Sequence, residues 1–354
     1  MVTPFDAVIG HPKVIGLLAA ELESPAQAYL FVGPDGAGKA TVARRFAAAL
    51  LADGRPEPFR RALEGVHADL TIVEPSGTAS ITVDQARTVV SSSTRAPLEA
   101  ARRVFLFEEG GLMNDEAANA LLKTLEEPVA TSVFILVATS EDDLPSTIAS
   151  RSRTIVFGRV GEQEIVDALV ARGADVDRAV QAARISGGRP GLALALVTEP
   201  DVAEYRRQWL GVPGQVTGHP GDSFRLAGDL LSAVDPLLAA LKERQAAEAA
   251  VAVADGASTK TLKERHDRQL KRAAASLWAT GLEILAGFYR DVAAAQVGAP
   301  VRNTDIPVSQ LTQVMPGEAM RHADRVLETI ESLEANQRPQ LALAALFAEL
   351  GGDA

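Results

Sequence analysis

Residues Ala28 to Ala47 read AYLFVGPDGAGKATVARRFA, and their reading decides the fold. Tyr29 to Val32 is a short apolar run with aromatics, the pattern of a strand buried on both faces. Gly33-Pro34-Asp35-Gly36-Ala37-Gly38-Lys39 then fits G-x-x-x-x-G-K. A helical pattern follows, with Val42, Phe46 and Ala49 to Leu51 on one face and Arg44 and Arg45 interrupting it. Strand, glycine loop and helix in that order make a phosphate cradle. The glycines let backbone N–H groups turn inward around an anion, the helix N-terminus adds partial positive charge, and Lys39 reaches the outer phosphates. The plain alternative is a glycine-rich turn with no ligand; spacing, lysine and flanks together favour the cradle.

The cradle is incomplete. A working site carries Ser or Thr after the lysine, whose hydroxyl holds Mg²⁺, and here the residue is Ala40. Thr41 is adjacent, but one residue along a helix is a rotation of about 100°, which turns its hydroxyl elsewhere. Nucleotide binding and hydrolysis are therefore separate questions.

Outward from this stretch, the chain has further buried-strand patterns at Asp69 to Val73, Arg103 to Phe107, Thr131 to Ala138 and Thr154 to Phe157. Between them lie helical signals. Thr82-Val83-Asp84-Gln85 reads as a capping box opening a helix, and Asn114 caps another over Asp115 to Glu126, stopped by Glu127-Pro128. Leu144 to Ser150 reads as a short helix. Alternating strands and helices predict an α/β domain with a doubly wound parallel sheet. The strand Val104 to Phe107 ends in Glu108-Glu109. This is where a phosphate-cradle enzyme places its metal-binding carboxylate and the base that aims water, although Asp is usual at the first position. Two solvated acids at a strand end are the simpler alternative.

Composition narrows the class. The 354 residues suffice for two or three domains, and 47% are hydrophobic with few aromatics, which suits helix-rich packing. No run approaches a membrane span, and the start, MVTPFDAVIGHPKV, has no basic lead or apolar core. The absence of cysteine excludes disulfides and thiolate metal sites and suits a cytoplasmic protein, and the five histidines have no metal-ligand spacing. A net charge of −11 argues against a stand-alone nucleic-acid binder.

Ala117 to Pro128, reading AANALLKTLEEP, and Leu144-Pro-x-Thr-Ile-x-Ser-Arg151 resemble the AAA+ clamp-loader subunits of bacterial replicases. Phe5-x-x-Val8-Ile9-Gly10-His11 and Val66 to Leu70 fit the same pattern. The resemblance is strong over about residues 5 to 160 and weaker beyond. It implies an AAA+ domain at 1–158, a helical lid at 159–200 and an all-α collar domain at 201–354. It implies a five-subunit ring of the DNA polymerase III clamp loader, in which ATP opens the beta sliding clamp for placement on primed DNA. Partners would be the delta and gamma/tau subunits, with the clamp and DNA met through the complex and no membrane involved.

Within that family, Ser150-Arg151-Ser152 stands at the Ser-Arg-Cys motif, and Arg151 takes the position of the arginine offered to a neighbour's ATP. Its alternative is a surface arginine paired with a nearby acid. The nucleotide-site positions are Gly33, Gly36, Gly38, Lys39, Thr41, Glu108, Thr139 and Arg189, with Glu109 as a degenerate water-activating acid. The family's four-cysteine zinc module is absent, since only Asp53 to Val66 fills its place. Ala40 and Glu108 suit a non-motor subunit with doubtful ATP and Mg²⁺ binding. A gamma/tau-type ATP-hydrolysing motor is the second reading, and a stand-alone phosphotransferase the third.

Beyond Val197, Leu226 to Ala250 and Leu277 to Ala295 are apolar-periodic, with Pro236 as a kink or break. Thr259 to Arg272 is basic, with Glu264/Arg268 and Asp267/Lys271 at i,i+4 spacing, and reads as a solvated helix face rather than a DNA contact. Leu327 to Leu350 is a final amphipathic pair.

Overall fold

The computed structural model describes residues 4–75, 80–239, 241–243, 245–246, 249, 259–312, 314–334 and 337–352. They divide into two compact units, Met1–Leu194 and Ala195–Ala354. Among the described residues no helix is long and apolar enough to cross a membrane.

The first unit is built on a sheet of five parallel strands among the described residues: β1 (Ala28–Val32), β2 (Leu70–Ile72), β3 (Arg103–Phe107), β4 (Ser132–Val137) and β5 (Arg153–Val156), in spatial order β2-β3-β4-β1-β5. In register, Tyr29 lies beside Ile135 on one side and Arg153 on the other, and Val32 lies beside Val156. All five residues of β1 and all six of β4 are buried, which is why these strands read as continuous apolar runs.

Alternate residues of each strand feed two cores. Tyr29, Phe31 and Ile135 pack with Val42 and Phe46 of α2 (Lys39–Ala52), with Leu18 of α1 (Pro12–Glu21) and with Phe59 of α3 (Pro56–Leu63). Leu30, Val32, Phe105 and Leu136 pack with Val89 of α4 (Val83–Ser93), Leu121 and Leu125 of α5 (Asp115–Glu126) and Ile148 of α6 (Ser146–Ala149). The fold is a doubly wound α/β sheet, with helices on both faces. Helices α7 (Glu162–Ala171), α8 (Val176–Ser186) and α9 (Pro190–Thr198) follow, and the division between the units falls within α9.

The second unit is helical: α10 (Pro200–Leu210), α11 (Pro220–Ser232), α12 (Thr259–Gln296), α13 (Pro316–Glu334) and α14 (Pro339–Gly352). Its core holds Trp209, Leu230, Leu285, Tyr289, Val326 and Phe347. The basic stretch Thr259 to Arg272 and the apolar stretch Leu277 to Ala295 form one continuous helix, α12. The Glu264/Arg268 pair falls on side chains outside the described residues. Pro236 does break the helix: α11 stops at Ser232, and 240, 244, 247, 248 and 250 lie outside the described residues. At Val212 to Pro220, Val212–Gly214 makes a 3-10 turn with Val212 buried. In the first unit, the polar stretch Asp53 to Val66 contains α3, with Pro56 at its first turn, where its missing N–H costs nothing.

Candidate functional site

The cradle forms where β1 hands over to α2. Gly33 has φ 145°, and a Cβ there would strike the carbonyl of Phe157 at the end of β5. Its N–H donates to the carbonyl of Thr139 at 3.1 Å, tying the cradle to the end of β4. Gly36 has φ 75°, and a Cβ there would sit 2.8 Å from the Arg189 stem, so this glycine is what lets Arg189 lie across the loop. Arg189 in turn donates from Nε to the Ser186 carbonyl at 2.9 Å.

Lys39 opens α2 and is only 7% exposed. Its ammonium donates to the carbonyls of Gly33 and, at 3.0 Å, Pro34, and lies 3.4 Å from Asp35 Oδ1. Burial pushes its pKa below the ordinary lysine value, and Asp35 pulls it back in part. Two residues that the sequence did not assign to the cradle complete the loop. Arg159 donates to the Asp35 carbonyl at 2.6 Å, and burial lowers its pKa. His11 Nε2, 2.7 Å from the Ala37 carbonyl, is the donor in that contact, with its ring edge-on to Phe157. His11 was visible only as part of the Val8 to His11 pattern; Arg159 had no local signal at all.

The acidic side of the site is already paired. Glu108, at the end of β3, takes both Nε and Nη2 of Arg44, the latter at 2.6 Å. The hydrogen bonds to Glu108 raise the Arg44 pKa further, against a lowering from burial. Glu109 is exposed at the start of the 3-10 turn Gly110–Leu112. Thr41 is exposed on α2. Thr139 is also exposed, and its N–H donates to Asp143 Oδ2 at 2.8 Å. The residues therefore do not fit a Mg²⁺ ion in the usual way: Ala40 has no hydroxyl, and the carboxylate that would hold the ion is engaged by a guanidinium. What the loop offers is a set of cations, Lys39, Arg159 and Arg189, around backbone turned by glycines.

Arg151 lies just past α6, two residues before β5. Its Nη2 is 2.6 Å from Glu126 Oε1, and Nη1 donates to the Thr147 carbonyl at 3.0 Å and lies 3.3 Å from Ser150 Oγ. The arginine is thus on the surface and paired with an acid. The structure brings Gly33, Gly36, Lys39, Thr139, Glu108 and Arg189 toward one end of the sheet and leaves Arg151 apart from them.

Residues 10–160 match the family model described as DNA polymerase III, delta subunit. Over that stretch the chain is similar to clamp-loader subunits of DNA polymerase III. The domain is 38% identical over 135 residues to the delta' subunit of DNA polymerase III from Pseudomonas aeruginosa, an alignment covering 36% of this chain and 41% of that protein. It is 32% identical over 169 residues to the delta' subunit from Bacillus subtilis, covering 45% of this chain and 51% of that one. The tau subunit from Bacillus subtilis is 33% identical over 170 residues, covering 46% of this chain and 30% of that protein. The aligned stretch spans 30 to 51% of the length of these relatives, which are subunits of more than one type.

Proposed function

We propose that the chain is a non-motor subunit of the DNA polymerase III clamp loader, of the delta-prime kind. In this reading it hydrolyses little or no ATP itself and lends Arg151 to the ATP bound by an adjacent motor subunit. The observation that carries it is the Arg44–Glu108 pair beside Ala40. A motor needs its carboxylate free for the metal at every turnover, and here that carboxylate has a resident cation. A guanidinium suits the lending role. It is always ionised, forks onto two oxygens, and stabilises charge on the transferred phosphoryl group. Arg151 is exposed and stands at the head of a strand, where a neighbour can reach it.

The proposed partners are the delta and gamma/tau subunits, with the beta sliding clamp and primed DNA met through the assembly, in the cytoplasm. The similarity to a tau subunit supports the second reading, an ATP-hydrolysing motor. Co-assembly with the other loader subunits, followed by ATPase assays, separates the two. The chain alone should show no Mg²⁺-dependent turnover, and Arg151→Ala should slow the ATP site it completes by about 10³, the usual effect of a supplied arginine. Robust turnover by the isolated chain would establish the motor reading instead.

A further inference from the structure

Glu126 and Glu127 close α5 at its C-terminal end. Unpaired helix carbonyls make that end partly negative, so an acid there is disfavoured unless a cation is brought to it. The first turn of the same helix carries Asp115 and Glu116, where acids are favoured, which makes the acidic exit the anomaly. The last turn has one cation of its own, Lys123, and Arg151 brings a second directly onto Glu126. One terminal nitrogen meets Glu126 Oε1 at 2.6 Å, and the other is turned back to the Thr147 carbonyl at 3.0 Å. The guanidinium is thereby folded onto its own domain, over the ends of α5 and α6.

We propose that Glu126 holds Arg151 in reserve: its carboxylate competes with a neighbouring triphosphate for the same guanidinium and so sets how readily the arginine is given up. The inference rests on the function proposed above. The side chains are 35% and 46% exposed, so water screens the pair and the hold is light. A polyphosphate carries more charge and matches the fork with two oxygens, and it displaces a single screened carboxylate. If Glu126 instead aimed the arginine toward its target, its removal would act in the opposite direction.

The test uses the assembled loader and a fluorescent, non-hydrolysable ATP analogue bound at the adjacent motor site. Glu126→Gln keeps the shape and removes the charge. It should tighten analogue binding about two- to fivefold, the range an exposed ion pair can supply, and lower KM for ATP in parallel. Arg151→Ala should weaken binding, and the double variant should match Arg151→Ala, because Glu126 then has nothing to hold. Unchanged or weaker binding in Glu126→Gln, with Arg151→Ala still impaired, would overturn the inference and leave the proposed function standing. Wild-type binding and turnover in Arg151→Ala would overturn both. Co-elution of each variant with the loader subunits and an unchanged melting temperature establish that folding is intact, and Glu126→Ala provides a second variant expected to act in the same direction.

Discussion

Arg44 lies one helical turn after Ala40, on the same face of α2, and its guanidinium takes both oxygens of Glu108. The two positions make one chemical statement. Loss of the hydroxyl at 40 removes one metal ligand, and the arginine at 44 neutralises the acid that would have been another. Restoring the hydroxyl alone should therefore fail: Ala40→Thr should bind an ATP analogue no more than about twofold tighter with Mg²⁺ than with EDTA. Ala40→Thr with Arg44→Ala should gain about tenfold or more from the metal, as calorimetric titration would read, because both ligands are then available. Ala40 and Glu108 were legible as departures from a spacing pattern. Arg44 read as a break in an apolar face, because its partner is 64 residues away and only the sheet brings them together.

Caps are local, so the starts of α4 and α5 were legible to the residue. Asn114 Oδ1 accepts from the Ala117 N–H at 2.8 Å, and Thr82 with Gln85 forms the reciprocal box. Helix α3 was not legible, because Pro56 and Pro58 resemble breaks; what supports it is Arg60 and Arg61 paired with Glu57 and Glu64 along its exposed face. Also hidden was the strap over the α4–β3 connection. Buried Asp69, just before β2, accepts from the N–H groups of Leu98, Glu99 and Ala100 at 2.7, 2.8 and 2.9 Å. Burial pushes the Asp69 carboxyl up, but these three donors and Arg103 outweigh it and hold it below its ordinary 3.8. Asp69→Asn should cost about 2 kcal/mol at neutral pH, the scale of hydrogen bonds to a charged group. A carboxyl with a lowered folded pKa stabilises fully above its unfolded value and loses that contribution as pH falls through the folded one. The gap between wild type and Asp69→Asn, read by urea unfolding, should therefore narrow below pH 3.8.

At the scale of the whole molecule, the two units keep separate cores, and they differed in how much the sequence told. The sheet unit was legible because each buried strand is a short apolar run bounded by turn residues. The helical unit showed only periodicity, since what fixes its long connection acts across distance. Buried Arg206 of α10 holds Asp305 through two bonds of 2.6 and 2.8 Å and Asn303 through a third, and buried Asp291 of α12 accepts from the backbone of Arg302 and Asn303. Asp305→Ala leaves the Arg206 charge buried without its partner and should cost about 3 kcal/mol. Calorimetry should show it as an earlier transition for the helical unit, with the sheet unit's transition unmoved. The register of the sheet carries a further consequence. Because β1 and β5 run side by side in the same direction, the cradle that follows Val32 and the arginine that precedes Arg153 stand at opposite poles of the domain. On the proposed reading, a subunit that offers its arginine to a like-built cradle joins head to tail. Such a contact has a direction: it cannot close as a two-fold pair and can only run on around a circle or along a fibre. A member whose own cradle is disarmed can still give at one pole, and the relay of arginines has in it a first link.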